Sequence, residues 1–300
     1  MIPTPMWARR RSPLCGVAIR APGSTIRVDS THPRAKAPQS LKSISTIKTQ
    51  RLLARCVRVA AVTLLVFASE AVSAQGGPPL VTDDPETPGN GHWEINLATI
   101  ASHTSGRWEI AAPDVDINYG WGEHVQLKLD VPWNFVHETD QRWKSGLGAA
   151  NVGVKWRFVD IEDSGFSMST YPQFSWNWQS SSARRGISRP GRQFFLPIEA
   201  ATVAGEYALD AEVGRNFVQQ GSNQWAAGFV VAHSCGENVE CLGEVRETWV
   251  PYNSQTLLNV GVHWKLNESL VLLTSAGREF GAHTEDQQRL LFYFGFQLLR

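Results

Sequence analysis

The chain has 300 residues, and its 28 Lys/Arg balance 28 Asp/Glu. That balance joins two unlike parts: residues 1–74 carry 12 basic side chains against Asp29 and Glu70 alone, whereas residues 75–300 carry 16 bases against 26 acids. An acidic body argues against nucleic acid as a partner, because a phosphate-binding surface needs clustered Lys and Arg. The 11 Trp beyond residue 74 exclude a disordered one.

The basic part reads as a leader. Arg51-Leu-Leu-Ala-Arg-Cys-Val-Arg58 precedes the apolar run Val59–Ser69, and Ala71-Val-Ser-Ala74 then offers small residues for cleavage ahead of Gln75. This is the charged, apolar and small-residue order of a signal peptide, here 51–74. The run is too short for a spanning helix, which takes roughly 20 apolar residues. Residues 1–50 are rich in Ser, Pro and Arg without periodicity and read as a disordered or mis-assigned extension of the leader. Export removes Cys15 and Cys56 and leaves Cys235 and Cys241, a close pair flanking a Gly/Asn turn, which an oxidising compartment favours as a disulfide.

Residues 75–90 follow as a periplasmic N-terminal segment. Within it, Asp83-Asp84-Pro85-Glu86 has the carboxylates of a Ca²⁺ loop, but a turn ahead of the first strand is the favoured reading, since Asp and Pro suit turns for local reasons. From residue 91 to residue 300 the dominant period is two. Val115, Ile117 and Tyr119 alternate with Asp114, Asp116 and Asn118; Leu127, Leu129 and Val131 alternate with Lys128 and Asp130. Val154, Trp156 and Phe158 flank Lys155 and Arg157, and Leu209, Ala211 and Val213 flank Asp210 and Glu212. Further on, Val262 and Trp264 flank His263 and Lys265, and Phe292, Phe294 and Phe296 close the series. Successive strand side chains point to opposite faces, so each segment is a half-apolar strand. About twelve are predicted, near 91–102, 107–120, 124–135, 147–159, 165–178, 193–203, 206–217, 224–234, 241–249, 257–266, 269–278 and 289–299.

Such strands suit either a soluble sandwich or a membrane barrel. Three features favour the barrel. The polar face is rich in Gly, Asn, Gln and charges of both signs, as in a hydrated lumen. Trp residues gather toward strand ends, as interface girdles do. Connections after even-numbered strands are mostly short, while the long ones (136–146, 179–192 and 279–288) follow odd-numbered strands, as in outer-membrane barrels. The predicted fold is therefore all-β, an antiparallel transmembrane β-barrel of about 12 strands over 91–300.

The stretch Leu80-Val-Thr-Asp-Asp-Pro-Glu-Thr-Pro-Gly-Asn-Gly-His-Trp-Glu-Ile-Asn-Leu97 resembles the N-terminal signature of the outer-membrane β-barrel family associated with the meta-pathway of phenol degradation. Tyr119–Pro132, Gly146–Phe158 and Leu273–Arg278 are similar to it as well, so the resemblance spans most of the body. It implies the cell outer membrane and passage of small aromatic or apolar molecules. The chain departs from the usual pattern at its end: Gln297-Leu-Leu-Arg300 stands where outer-membrane strands commonly finish on an aromatic residue read by the insertion machinery.

No G-x-S-x-G elbow, phosphate-binding Gly loop or H-E-x-x-H occurs in the chain, and no cofactor or metal is expected. The expected site is the lumen, lined by Asp114, Asp116, Asn118, Lys128, Asp130, Lys155, Arg157, Asp210, Glu212, His263 and Lys265. Charged rings of this kind set pore selectivity. The leading expectation is a non-enzymatic channel for small-molecule solutes, contacting membrane lipid and lipopolysaccharide, with Arg184, Arg185, Arg189 and Arg192 in one long loop. The alternatives are a closed, non-conducting barrel with a structural or surface-binding role, and an outer-membrane lipase-like enzyme using His263.

Overall fold

A computed structural model describes residues 76–161, 164–250, 253–281 and 287–300. The expected extension 1–50 and signal peptide 51–74 lie outside the described residues. The strands run in chain order: β1 (Trp93–Thr104), β2 (Arg107–Gly120), β3 (Val125–Glu138), β4 (Lys144–Leu147), β5 (Ala149–Ile161), β6 (Phe166–Thr170) and β7 (Gln173–Asn177). A short helix α1 (Ser180–Arg184) follows, then β8 (Arg192–Ala204), β9 (Tyr207–Val218), β10 (Gln224–Gly236), β11 (Val239–Val250), β12 (Asn253–Asn267), β13 (Leu270–Gly281) and β14 (Leu290–Leu299).

Fourteen segments make twelve staves. β4 and β5 both pair with β3 and form one stave interrupted at Gly148. β6 and β7 form another, interrupted at Tyr171-Pro172, where proline has no N–H to give and its carbonyl accepts from the Val154 N–H at 3.1 Å. Every neighbouring pair is antiparallel, and β1 pairs with β14 from Glu94↔Leu299 to His103↔Leu290, which closes the ring. Closure leaves no edge of unpaired N–H and C=O groups, the condition for a sheet in lipid.

The alternation sorts the side chains as the sequence implies. On β5, Val154, Trp156 and Phe158 are exposed while Lys155 between them is 2% exposed. On β12, Val260 is 66% exposed while its neighbour Asn259 is buried, and on β14 Phe292, Phe294 and Phe296 all face outward. The outer surface is thus an apolar belt around a largely polar interior, the reverse of a water-soluble sandwich.

Two differences from the sequence reading have physical causes. β3 runs on to Glu138 and β12 begins at Asn253, through polar residues expected to be loop. A span of the bilayer needs only about 9–11 residues of a tilted strand, so the ends of 14- and 15-residue strands can stand clear of lipid and carry polar side chains on either face. The interior is also less uniformly polar than expected. Ala98, Val271, Leu273 and Tyr293 pack as one inward cluster, and Leu80 joins Ala201, Ala208, Val230, Ala232 and Leu242 in another. Cys235 and Cys241, either side of the β10–β11 turn, are joined by a disulfide.

Candidate functional site: a strap within the lumen

Of residues 75–90, expected ahead of the first strand as a periplasmic segment, 76–86 contact side chains of the inner wall of the barrel, and 87–92 continue along the β2–β3 turn into β1. The segment turns back on itself, with the Gly77 N–H donating to the Thr82 carbonyl at 2.8 Å and the Leu80 N–H to the Gly77 carbonyl at 2.8 Å. Its backbone is held by wall side chains. The Thr82 N–H donates to Glu244 Oε1 at 2.6 Å, Ser275 Oγ donates to the Pro79 carbonyl at 2.7 Å, and the His263 ring lies 3.2 Å from the Pro78 carbonyl.

Glycine in the wall makes room for this strap. A Cβ on Gly228 would stand 1.9 Å from Thr82 Oγ1, and one on Gly120 would stand 1.8 Å from the Gly89 carbonyl oxygen. A real side chain at either place would push the strap away.

Charge fixes the strap as well. Lys155, on β5, has its Nζ 2.8 Å from Asp83 and 3.7 Å from Asp84 of the strap, 3.8 Å from Glu199 of β8, and 4.7 Å from the centre of the Tyr171 ring. Lys155 Nζ also donates to the Asp84 carbonyl, and Ser169 Oγ donates to Glu199. Two residues further along β5, toward the end with short connections, Arg157 pairs with Glu86 at 2.7 Å and with Asp160 at 3.3 Å. The acidic block keeps the local hydrogen bonds of the expected turn, with the Glu86 N–H donating to Asp84 Oδ1 at 2.6 Å, and also pairs with Lys155 and Arg157. Burial works against the charge of Asp83, but Lys155 and Lys128 outweigh it and hold that carboxyl below its ordinary value. Burial, with Asp83, Asp210 and Glu86 nearby, pushes the Asp84 carboxyl well up against the pull of Lys155.

Of the residues expected to line the lumen, Asp116, Asn118, Lys155, Asp210, Glu212 and His263 are buried inside the ring. Asp116 takes Lys128 at 3.4 Å, Glu212 takes Arg246 of β11 at 2.6 Å, and His263 takes Glu240 at 3.2 Å. Asp114, Asp116, Lys128 and Asp130 share one cavity wall. Lys265 is exposed near the end of β12, next to a break in register, and belongs to the rim. Glu199, Glu244, Arg246 and Ser275 were not singled out in the sequence, although alternation places each on a polar face; nothing local marked the last three as partners of a segment more than 100 residues away, or Glu199 as a partner of Lys155. His263 has Glu240 and the Pro78 carbonyl as its partners, while the nearby Ser275 hydroxyl serves Pro79, so the pair is not arranged for nucleophilic attack.

The opposite mouth is narrowed separately. The 178–191 connection folds inward with Ile187 fully buried. Arg107 Nη2 donates to the Gly186 carbonyl at 3.0 Å, and Asn134 Nδ2 to the Ile187 carbonyl at 3.4 Å. Arg107 in turn pairs with Glu138 at 2.9 Å and Glu109 at 3.1 Å. Cavities beside the strap include one of 230 Å³ and one of 180 Å³, which share Pro78, Asp116 and Lys128 in their linings.

A closed twelve-stave ring with an apolar belt, a polar interior and an inserted strap defines a transmembrane β-barrel of the cell outer membrane. Solved structures share this fold. The COG4313 outer membrane channel from Pseudomonas putida F1 superposes with a TM-score of 0.60 at 10% identity, over 75% of this chain and 100% of that one. The KdgM porin, solved in complex with disordered oligogalacturonate, gives a TM-score of 0.50 at 10% identity over 68% and 98%. No protein-family model matches the chain, and none of the curated proteins matches it.

Proposed function

We propose that the protein is a diffusive outer-membrane channel for small solutes whose resting pore is closed by its own strap. The observation that carries this reading is the construction of the closure. Residues 76–86 of the strap are joined to the wall by ion pairs, single hydrogen bonds and the packing of Leu80, and backbone pairing with the wall begins only at Gly91, so this part can leave without unpairing any stave. Once it leaves, the inner wall keeps Asp114, Asp116, Asp130, Glu199, Asp210, Glu212 and Glu244 against Lys128, Lys155, Arg157 and Arg246. An aqueous path lined by such an excess favours cations. No cofactor or energy coupling enters this mechanism.

The apolar strip of Ala98, Val271, Leu273 and Tyr293 on the inner wall supports solutes with an apolar or aromatic body. Membrane lipid meets the outer belt, lipopolysaccharide suits the Arg184–Arg192 loop, and the insertion machinery acts on the last strand during assembly. Planar-bilayer recording tests the reading: discrete current steps that grow on removing the strap support it, and silence of well-inserted protein with and without the strap overturns it. The buried Ile187 at the other mouth favours a second reading, a permanently closed barrel with a structural or surface-binding role. Silence in both proteins is the outcome that reading requires.

A further inference from the structure

We infer that the 180 Å³ cavity between the strap and the β1–β3 and β14 wall is a binding site for a small organic monocation, a protonated amine carried on an apolar or aromatic body. The cavity has two chemically distinct sides. Leu80 of the strap, Ile100 of β1, and Leu291 and Tyr293 of β14 form the apolar side. The other side holds Asp114, Asp116 and Asp130, with Lys128 as the one cation among them.

That arrangement is under-neutralised. Asp116 and Asp130 stand directly opposite each other in the β2–β3 register, where like charges repel. Asp114 lines the same cavity, so three carboxylates face Lys128 as the one cation of the lining. Asp116 is 5% exposed, lines both cavities, and its Oδ1 has no hydrogen-bond partner among the described residues; Asp130 Oδ1 has none either. Buried acceptors without donors are costly, and an ammonium brings three donors and the missing charge together. A neutral alcohol brings one donor and no charge, and a carboxylate is repelled.

Size agrees with the chemistry. A dry cavity of about 150 Å³ takes up benzene, so 180 Å³ admits one ring with a short ammonium arm. The second, 230 Å³ cavity has Asp116 and Lys128 in its lining as well, beside Asp83, Asp84 and Glu86 of the strap. The site lies in the pore of the proposed channel and rests on that reading for its role, but binding is measurable without current.

The test is calorimetric titration of the full protein in detergent with phenethylammonium, 2-phenylethanol and phenylacetate. The expected result is saturable phenethylammonium binding at least about tenfold tighter than 2-phenylethanol, equivalent to about 1.4 kcal/mol, with no phenylacetate binding. Asp116→Asn and Asp130→Asn should each weaken the amine while leaving the alcohol unchanged. Since either variant can perturb assembly, the comparison of three ligands on the unaltered protein decides on its own. Equal affinity for amine and alcohol, or no amine binding, overturns the site. Current steps without amine preference also overturn it and leave the channel standing; amine binding by protein that never conducts supports the site and overturns the channel.

Discussion

Thr82 of the strap lies so close to Gly228 of β10 that a Cβ on the glycine would stand 1.9 Å from the threonine hydroxyl oxygen. Contact of that kind ties one wall residue to the position of the strap without touching the pairing of the staves. Gly228→Val should therefore displace the strap while the barrel still forms, since valine suits a strand. The expected outcome is more frequent or larger current steps in planar bilayers, with heat-modifiable gel mobility unchanged. Loss of the folded band together with unchanged currents in the remainder would count against the packing argument.

Lys155 holds Asp83 and Asp84 of the strap and Glu199 of the wall from a position 2% exposed. Removing one partner of a buried ion pair costs about 3–5 kcal/mol, because the remaining charges stay buried without compensation. In Lys155→Gln the strap offers the cheapest relief, since Asp83 and Asp84 can move to water and Glu199 cannot. Thermolysin should cleave between residues 76 and 92 in this variant and spare the parent protein. Equal resistance of the two would show that the ion pairs are not the latch.

Selectivity follows from the carboxylates that stay behind. With the strap removed, a salt gradient across the bilayer should give a reversal potential on the cation-selective side. Glu212 is compensated by Arg246, whereas both Asp210 oxygens lack hydrogen-bond partners among the described residues. Asp210→Asn should therefore shift the reversal potential toward zero more than Glu212→Gln. Anion preference in the strap-free pore would refute this reading of the wall.

The inward loop adds a resistance in series. Ile187 is fully buried, and Arg107 ties the Gly186 carbonyl to Glu109 and Glu138. Shortening the loop by residues 180–186 should raise conductance in the strap-free protein and have little effect while the strap is in place. An equal effect in both backgrounds would mean that the loop, not the strap, limits the current.

The staves were legible because period-two alternation is local: Lys155 between Val154 and Trp156 identifies its own two faces. The number of staves followed from turn residues and loop lengths, and the polar ends of β3 and β12 were lost because outside the lipid an alternating pattern is no longer enforced. Asp83, Asp84 and Glu86 could be seen as acidic but not as latched, since Lys155 and Arg157 lie about seventy residues away and are brought near only by closure of the ring. The inner apolar strip was hidden for another reason. Val271, Leu273 and Tyr293 alternate with residues that are themselves apolar, so β13 and β14 show little contrast between faces.

In the proposed channel the strap closes an otherwise continuous aqueous path. The most direct measurement is single-channel recording, in planar bilayers, of the parent protein beside a variant lacking residues 76–86. A parent that is closed for most of the record and a variant with long-lived open steps of higher conductance are the expected result. Indistinguishable records, or a silent variant that migrates as a folded barrel, would contradict it.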